Sequence, residues 1–326
     1  MNIKKHLRYL AVLSFVALLS GTGATAQETL GIVTGGSTGT YIKIGQDLST
    51  LLKNHNINLD VHESRGSLDN IRDVYKAPHA QLGIVQSDVL AFIASSDDRK
   101  MKKYANKIRM IYPLYNEEIH ILATHSIQDF EDLDGKRIAI GTTGSGTYLT
   151  SKVIFTALAD FQIEEVYISG ANALNALKKR EVDAMVYVAG LPVSLFEEQV
   201  ELDDHLHLLP LTDKSIVETY RATSTIPQNT YDFLTEDVPT VAVKAVLTTY
   251  AYRMNNCQRL ANISQIIESN HDWLRENGHP KWSKVDFDAT LAGWSQYECL
   301  TGKNSAVPEK HSSLIDAISQ ATRSDR

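Results

Sequence analysis

Two stretches of this chain have the composition of backbone cradles for a negatively charged group. Ile32-Val33-Thr34-Gly35-Gly36-Ser37-Thr38-Gly39-Thr40-Tyr41 is echoed further on by Ile140-Gly141-Thr142-Thr143-Gly144-Ser145-Gly146-Thr147-Tyr148. Each lies between a short apolar run and an amphipathic stretch, so each predicts a strand, a turn and the start of a helix. Glycine lets a backbone approach a ligand closely. Ser37, Thr38, Ser145 and Thr147 add hydroxyl donors, and serine or threonine at such a place also caps the helix. A helix start carries unpaired N–H groups and about half a positive charge, which suits an anion without any lysine or arginine. Gly36, Gly144 and Gly146 are the glycines placed to admit it.

Known catalytic and nucleotide motifs fail letter by letter. A phosphate-binding loop of the Walker type needs Gly-Lys-Ser/Thr, and neither stretch has the lysine. The dinucleotide fingerprint starting at Gly144 lacks its third glycine. A nucleophile elbow around Ser145 needs glycine where Thr143 stands. An exported α/β hydrolase is therefore disfavoured, and the expectation is binding without catalysis or cofactor.

Other positions gather around the same idea. Tyr41 and Tyr148 open the two helices, where they either shield a ligand or pack the lobes. Arg65 either grips a carboxylate with its planar fork or sits solvated in a loop. Ser67 is expected to cap a helix whose apolar positions are Leu68, Ile71, Val74 and Tyr75. Gln86, Ser87 and Asp88 end an apolar run, the side of an α/β sheet where ligands bind. Asp88 either receives a ligand ammonium or caps the next helix. Tyr187 and Gly190 end the equivalent run in the second half. Glu117, Glu118 and His120 either meet a ligand amine or line a solvated crossover. His205 and His207 would share one face of a strand, but two imidazoles do not make a metal site, and none is expected. Trp273, Trp282 and Trp294 read as packing.

These positions need a scaffold, and apolar runs alternating with helix-period stretches provide one. Strands are expected at 30–34, 58–63, 81–86, 109–114 and 119–123, with helices at 41–54 and from Ser67. The grammar restarts after Asp132-Leu133-Asp134-Gly135-Lys136, with strands at 137–141, 165–169 and 184–188 and helices at 148–159 and 174–180. The chain returns through 238–249. Two copies of one α/β architecture imply two lobes with ligand chemistry at strand ends.

Composition sets the context. Lys4, Lys5 and Arg8, an apolar stretch at 9–19 and Ala24-Thr25-Ala26 form an export signal, cleaved after Ala26 into a periplasmic protein. Its removal would leave 300 residues and shift the formal net charge from −7 to −10. An acidic chain without a lysine block argues against nucleic acid, which is bound by neutralising phosphates. Cys257 and Cys299, the two cysteines, are expected to pair after export.

With the loops in place, the chain resembles the TAXI family of TRAP-transporter solute receptors. The likeness runs over about 30–249. It is carried by Thr34 to Tyr41, Arg65-Gly66-Ser67 with Asn70, Val85-Gln86-Ser87-Asp88, Asp132 to Lys136, Gly141 to Thr147, Val188-Ala189-Gly190-Leu191-Pro192, and Ile226-Pro227 through Tyr231 to Asp237-Val238-Pro239-Thr240-Val241. It implies a type II periplasmic-binding-protein-like fold. Lobe one would be 27–123 with 243–326, lobe two 124–242, and the ligand would lie between them. It also implies a small carboxylate ligand (an acidic amino acid such as glutamate, a dicarboxylate or a 2-oxoacid), delivered by hinge closure to TRAP membrane permease subunits. A periplasmic sensing module for a signalling receptor would carry the same features. Asn116-Glu117-Glu118-Ile119-His120 departs from relatives that carry proline before the first crossover. The tail from Asn255 to Cys299 lies outside the likeness.

Overall fold

The computed structural model describes residues 28–300 except 96–97, 157, 159–160 and 221. The expected export signal, residues 1–26, lies outside the described residues. The first half contains β1 (Glu28–Val33), α1 (Thr40–Lys53), β2 (Ile57–His62), α2 (Ser67–Lys76), β3 (Leu82–Gln86), α3 (Val89–Ser95), α4 (Arg99–Ala105) and the long β4 (Ile108–Thr124). Then come β5 (Arg137–Ala139), α5 (Gly146–Thr156), β6 (Glu164–Val166), α6 (Gly170–Lys178), β7 (Ala184–Ala189), α7 (Ser194–Gln199), β8 (Leu206–Leu208), α8 (Lys214–Tyr220) and β9 (Thr223–Ile226). The long β10 (Val238–Tyr250) returns, followed by α9 (Asn255–Ser269), α10 (His271–Asn277) and a 3₁₀ turn (Pro280–Lys284).

One sheet runs through the molecule in the order β2-β1-β3-β10-β4-β7-β5-β6, with β8 on β4 and β9 on β10. β1, β2 and β3 are mutually parallel at one end, and β5, β6 and β7 at the other. β4 and β10 join them as an antiparallel pair. β3 takes up β10 from Ala245 to Thr249, whereas β7 takes up β4 from Glu118 to Ala123. Each long strand therefore begins in one lobe and ends in the other.

The sequence pattern predicts two strands, 109–114 and 119–123, with Glu117 and Glu118 between them either meeting a ligand amine or lining a solvated crossover. The structure corrects this: the strand is continuous, and Glu117, Glu118 and His120 are buried. Lateral pairing with Asn116, Glu117 and Glu118 from β10 keeps the backbone extended, while partners elsewhere satisfy the polar side chains.

Helices cover both faces of each lobe because each has one apolar stripe. In α1 that stripe is Tyr41, Ile44, Leu48, Leu51 and Leu52, all buried against β1, β3 and β4. α9, α10 and the 3₁₀ turn add Leu260, Ile263, Ile267, Leu274 and Trp282 to this core. The opposite face of the first lobe is filled by Val33, Ile71, Val74, Val85, Leu149 and Trp294. Leu149 comes from α5, so this core spans the lobes. Two further clusters, around Phe196 and around Ile138, flank the second-lobe strands.

Cys257 and Cys299 form a disulfide with Cα atoms 5.4 Å apart, closing the tail into a loop of sequence separation 42. On the chain-entropy account such a loop stabilises the fold by roughly 4 kcal/mol. Urea unfolding of the Cys257→Ala/Cys299→Ala protein is expected to show a loss of that order. An unchanged midpoint would mean that the tail is held by its packing alone.

Candidate functional site

Three helices of different origin start at one place. α1 begins after Gly39 and α2 after Gly66, neither with a side-chain cap, and α5 begins at Gly146. Their starts surround a cavity of about 510 Å³, counting its open mouth. Gly36, Thr40, Tyr41 and Arg65 line it from the first lobe, and Ser145, Gly146, Thr147, Ser169 and Tyr187 from the second. Helix starts carry backbone N–H groups without helical partners and a partial positive charge, so three of them around one cavity favour a carboxylate there.

The lobes meet around this cavity. Leu68 donates its backbone N–H to the Gly144 carbonyl at 3.2 Å, and Thr40 Oγ1 donates to the Gly190 carbonyl at 2.7 Å. Thr150 Oγ1 of α5 donates to Asp88 Oδ2 at 3.0 Å, and the Tyr187 hydroxyl hydrogen-bonds Thr38. Gly146 approaches so closely that a Cβ there would land on the Gln86 side-chain oxygen. Gly66 takes φ of +119°, which lets the chain turn into α2 beside Ser145.

The same cavity also holds acceptors. Glu117 is buried, and its carboxylate accepts from the Tyr41 hydroxyl at 2.6 Å. Tyr41 also hydrogen-bonds Ser67, whose hydroxyl accepts the Gln86 backbone N–H at 3.0 Å. Gln86 Oε1 is buried with no hydrogen-bond partner. Burial pushes the Glu117 pKa up to about 8, with nearby Asp88 and Glu118 adding to the rise and the Tyr41 hydrogen bond opposing it. Burial likewise raises Tyr41 and Tyr187 well away from ionisation. The cavity is thus lined by helix starts together with a carboxyl, an amide oxygen and hydroxyls, the Gln86 oxygen lying against the start of α5.

Residues 32–257 match the NMT1-like family. The chain belongs to that family. Among solved structures it is similar to the periplasmic binding protein BugD, at 12% identity and TM-score 0.55, over 91% of this chain and 95% of that one. It is also similar to a protein from Bordetella bronchiseptica RB50, at 14% identity and TM-score 0.50, over 90% and 89% of the two chains. A third, described as a periplasmic transporter, is 14% identical with TM-score 0.51 over 78% and 89%. The fold of this NMT1-like chain is the two-lobed α/β fold of periplasmic binding proteins.

Of the residues singled out from sequence, Gly36, Tyr41, Arg65, Ser67, Gln86, Ser145, Gly146, Thr147 and Tyr187 line the cavity. Several lie beside it. Thr38 meets Tyr187, and Gly144 and Gly190 supply carbonyls that join the lobes. Ser37 is outside the lining, and Ser87 faces β10, its hydroxyl accepting the Lys244 N–H at 3.1 Å. Asp88 is outside the cavity lining; its carboxyl is buried against Thr150, and burial raises its pKa to about 7.

Two local expectations change, for Ser67 and His205, and Arg65 takes the solvated loop position that is one of its two alternatives. Ser67 is the first helical residue of α2 and Gly66 the N-cap, so its hydroxyl is free to reach β3. Arg65 is at the rim, 59% exposed, with its fork on Asp69 at 2.6 and 3.0 Å. His205 takes left-handed φ before β8 rather than sharing a strand with His207.

Gly35, Gly39, Thr40, Gly66, Ser169, Val188 and Ala189 also line the cavity without being singled out by sequence, as does Glu117, for which sequence leaves two roles open. A carboxylate interrupting the apolar run 109–123 was the available signal for Glu117.

The raised Glu117 pKa has a testable sign. Its ordinary value is 4.5, so between that and about 8 the folded protein holds a proton that the unfolded chain has lost. The stability it contributes is present at low pH and is lost as pH rises through this window. Glu117→Gln removes the loss, so the variant's melting temperature should gain on wild type steadily from pH 5 to pH 8. A constant offset across that range would show that the carboxyl ionises as if in water.

Proposed function

We propose that this chain is an extracytoplasmic solute receptor of a TRAP-type transporter, of the TAXI kind. It would bind a small carboxylate by hinge closure and pass it to the membrane permease. The observation that carries this reading is the convergence of three helix starts on one interlobe cavity, with the buried carboxyl of Glu117 in its lining. Family membership and fold support the binding role; the sequence likeness supports the TRAP assignment. We divide the lobes as the sequence suggested, with the first boundary drawn back from 123 to Glu118, where β4 takes up β7.

In this reading the ligand's carboxylate lies at the starts of α1 and α5, and its contacts with both lobes exist together only when the cleft is shut. A ligand shifts the open–closed balance only by such differential affinity. Charge-assisted hydrogen bonds at about 1.5–3 kcal/mol each supply much of the roughly −8 kcal/mol that micromolar binding needs, after ordering costs. Glu117 and Gln86 Oε1 would receive any donor the ligand carries. An acidic amino acid, a dicarboxylate and a 2-oxoacid all satisfy the carboxylate side. The Ser145 hydroxyl accepts the Tyr148 N–H at 3.0 Å, a capping role that favours binding over nucleophilic catalysis.

Native mass spectrometry of the purified protein should find a retained small acid. Calorimetry against dicarboxylates, 2-oxoacids and acidic amino acids should give at least one micromolar ligand. A Cβ at Gly36 would meet nothing within 4 Å, so Gly36→Phe is expected to fill the cavity and abolish binding while circular dichroism stays native. Gly146→Val should do the same by holding the lobes apart. Full affinity in both variants, or no ligand across the panel, would refute the assignment.

A further inference from the structure

The C-terminal tail reaches the crossing between the lobes. Lys281, on the 3₁₀ turn that packs with the first lobe, places Nζ 2.6 and 2.8 Å from the two carboxylate oxygens of Glu118. Both side chains are buried, at 8% and 5% exposure. Glu118 is the residue at which β4 takes up β7, and it pairs there with Ala189 of the cavity wall. The same carboxylate accepts the Leu191 N–H and the Ser224 hydroxyl, each at 3.3 Å and each from the second lobe. Gly190, between Ala189 and Leu191, gives its carbonyl to Thr40 at the start of α1. A Cβ on Gly190 would press on Lys281 Cε at 3.2 Å.

The turn that carries Lys281 is itself anchored to the first lobe. Trp282 Nε1 and the His279 N–H both donate to Asp47 Oδ2 of α1 at 2.8 Å. Further along, the Met110 N–H donates to Ser295 and the Tyr297 N–H to Met110, tying the tail to β4. Residue 281 lies beyond the 32–257 match, so the tail's half of this contact is additional to the family's matched region.

We propose that Lys281 is a positioning residue that latches the second lobe in its closed setting. One ammonium fixed to the first lobe holds the carboxylate that organises the second-lobe turn at Gly190 and Leu191. Rotating the second lobe away strains or breaks a buried pair, leaving charges without partners, which is costly. This proposal rests on the fold and not on which ligand the cavity takes.

The test uses the full chain without added ligand. Spin labels on Lys53→Cys and Lys179→Cys, both exposed and in different lobes, report the interlobe distance by pulsed electron resonance. Lys281→Met alone strands the Glu118 charge and is at risk of misfolding. The Lys281→Met/Glu118→Gln protein removes both charges and is the decisive variant. It should lower the closed-to-open ratio about tenfold, equal to about 1.4 kcal/mol, while Lys281→Arg keeps the wild-type distribution. A purely structural pair would change the melting temperature and leave the distances alone, and that result overturns the proposal. A wild type as open as the double variant overturns it equally.

Discussion

The pairing of β4 with β10 is the constraint from which the rest of the molecule follows. Two strands that each pass from one lobe to the other fix the lobes side by side and leave only bending at the crossing as an easy motion. They also fix which strand ends face each other, because β3 hangs on one end of this pair and β7 on the other. The helices that follow β1 and β5, and the one that precedes β3, must then begin in the gap between the lobes. The cavity is a product of topology before any side chain is chosen.

Side chains then furnish that gap. Helix starts provide donors, and Glu117, Gln86 and the hydroxyls around them provide acceptors. A buried carboxyl is expensive, and the Tyr41 hydroxyl offsets only part of the cost, so Glu117 keeps its proton at a pH where an exposed glutamate would lose it. Glu118, the next residue along, has the opposite solution, a lysine brought from the far end of the chain. Adjacent residues on one strand point to opposite faces, so the two carboxyls serve the cleft and the crossing separately.

Much of this was legible in the chain. The period-two and helical patterns located β1 to β3 and β5 to β7 because those elements bury a single face or a continuous apolar run. The two glycine stretches announced α1 and α5. Three things were hidden for physical reasons. Asn116-Glu117-Glu118 reads as a break because burial of its carboxyls depends on Tyr41 and Lys281, which are distant in sequence. The helix start at Ser67 is legible, but its cap is not: Ser67 has the composition of a cap, whereas the positive φ of Gly66 moves the cap back by one residue. Ser87 and Asp88 sit at a strand end, but their orientation depends on β10 and α5, which no local pattern reports.

The donors at the cleft are largely main-chain amides rather than ammonium or guanidinium groups. Such groups do not titrate, so their attraction for an anion persists across the whole pH range in which the protein stays folded. Any acidity-dependence of capture would then come from the side chains that share the cavity, Glu117 above all, and substitutions that preserve backbone shape would leave the amides untouched.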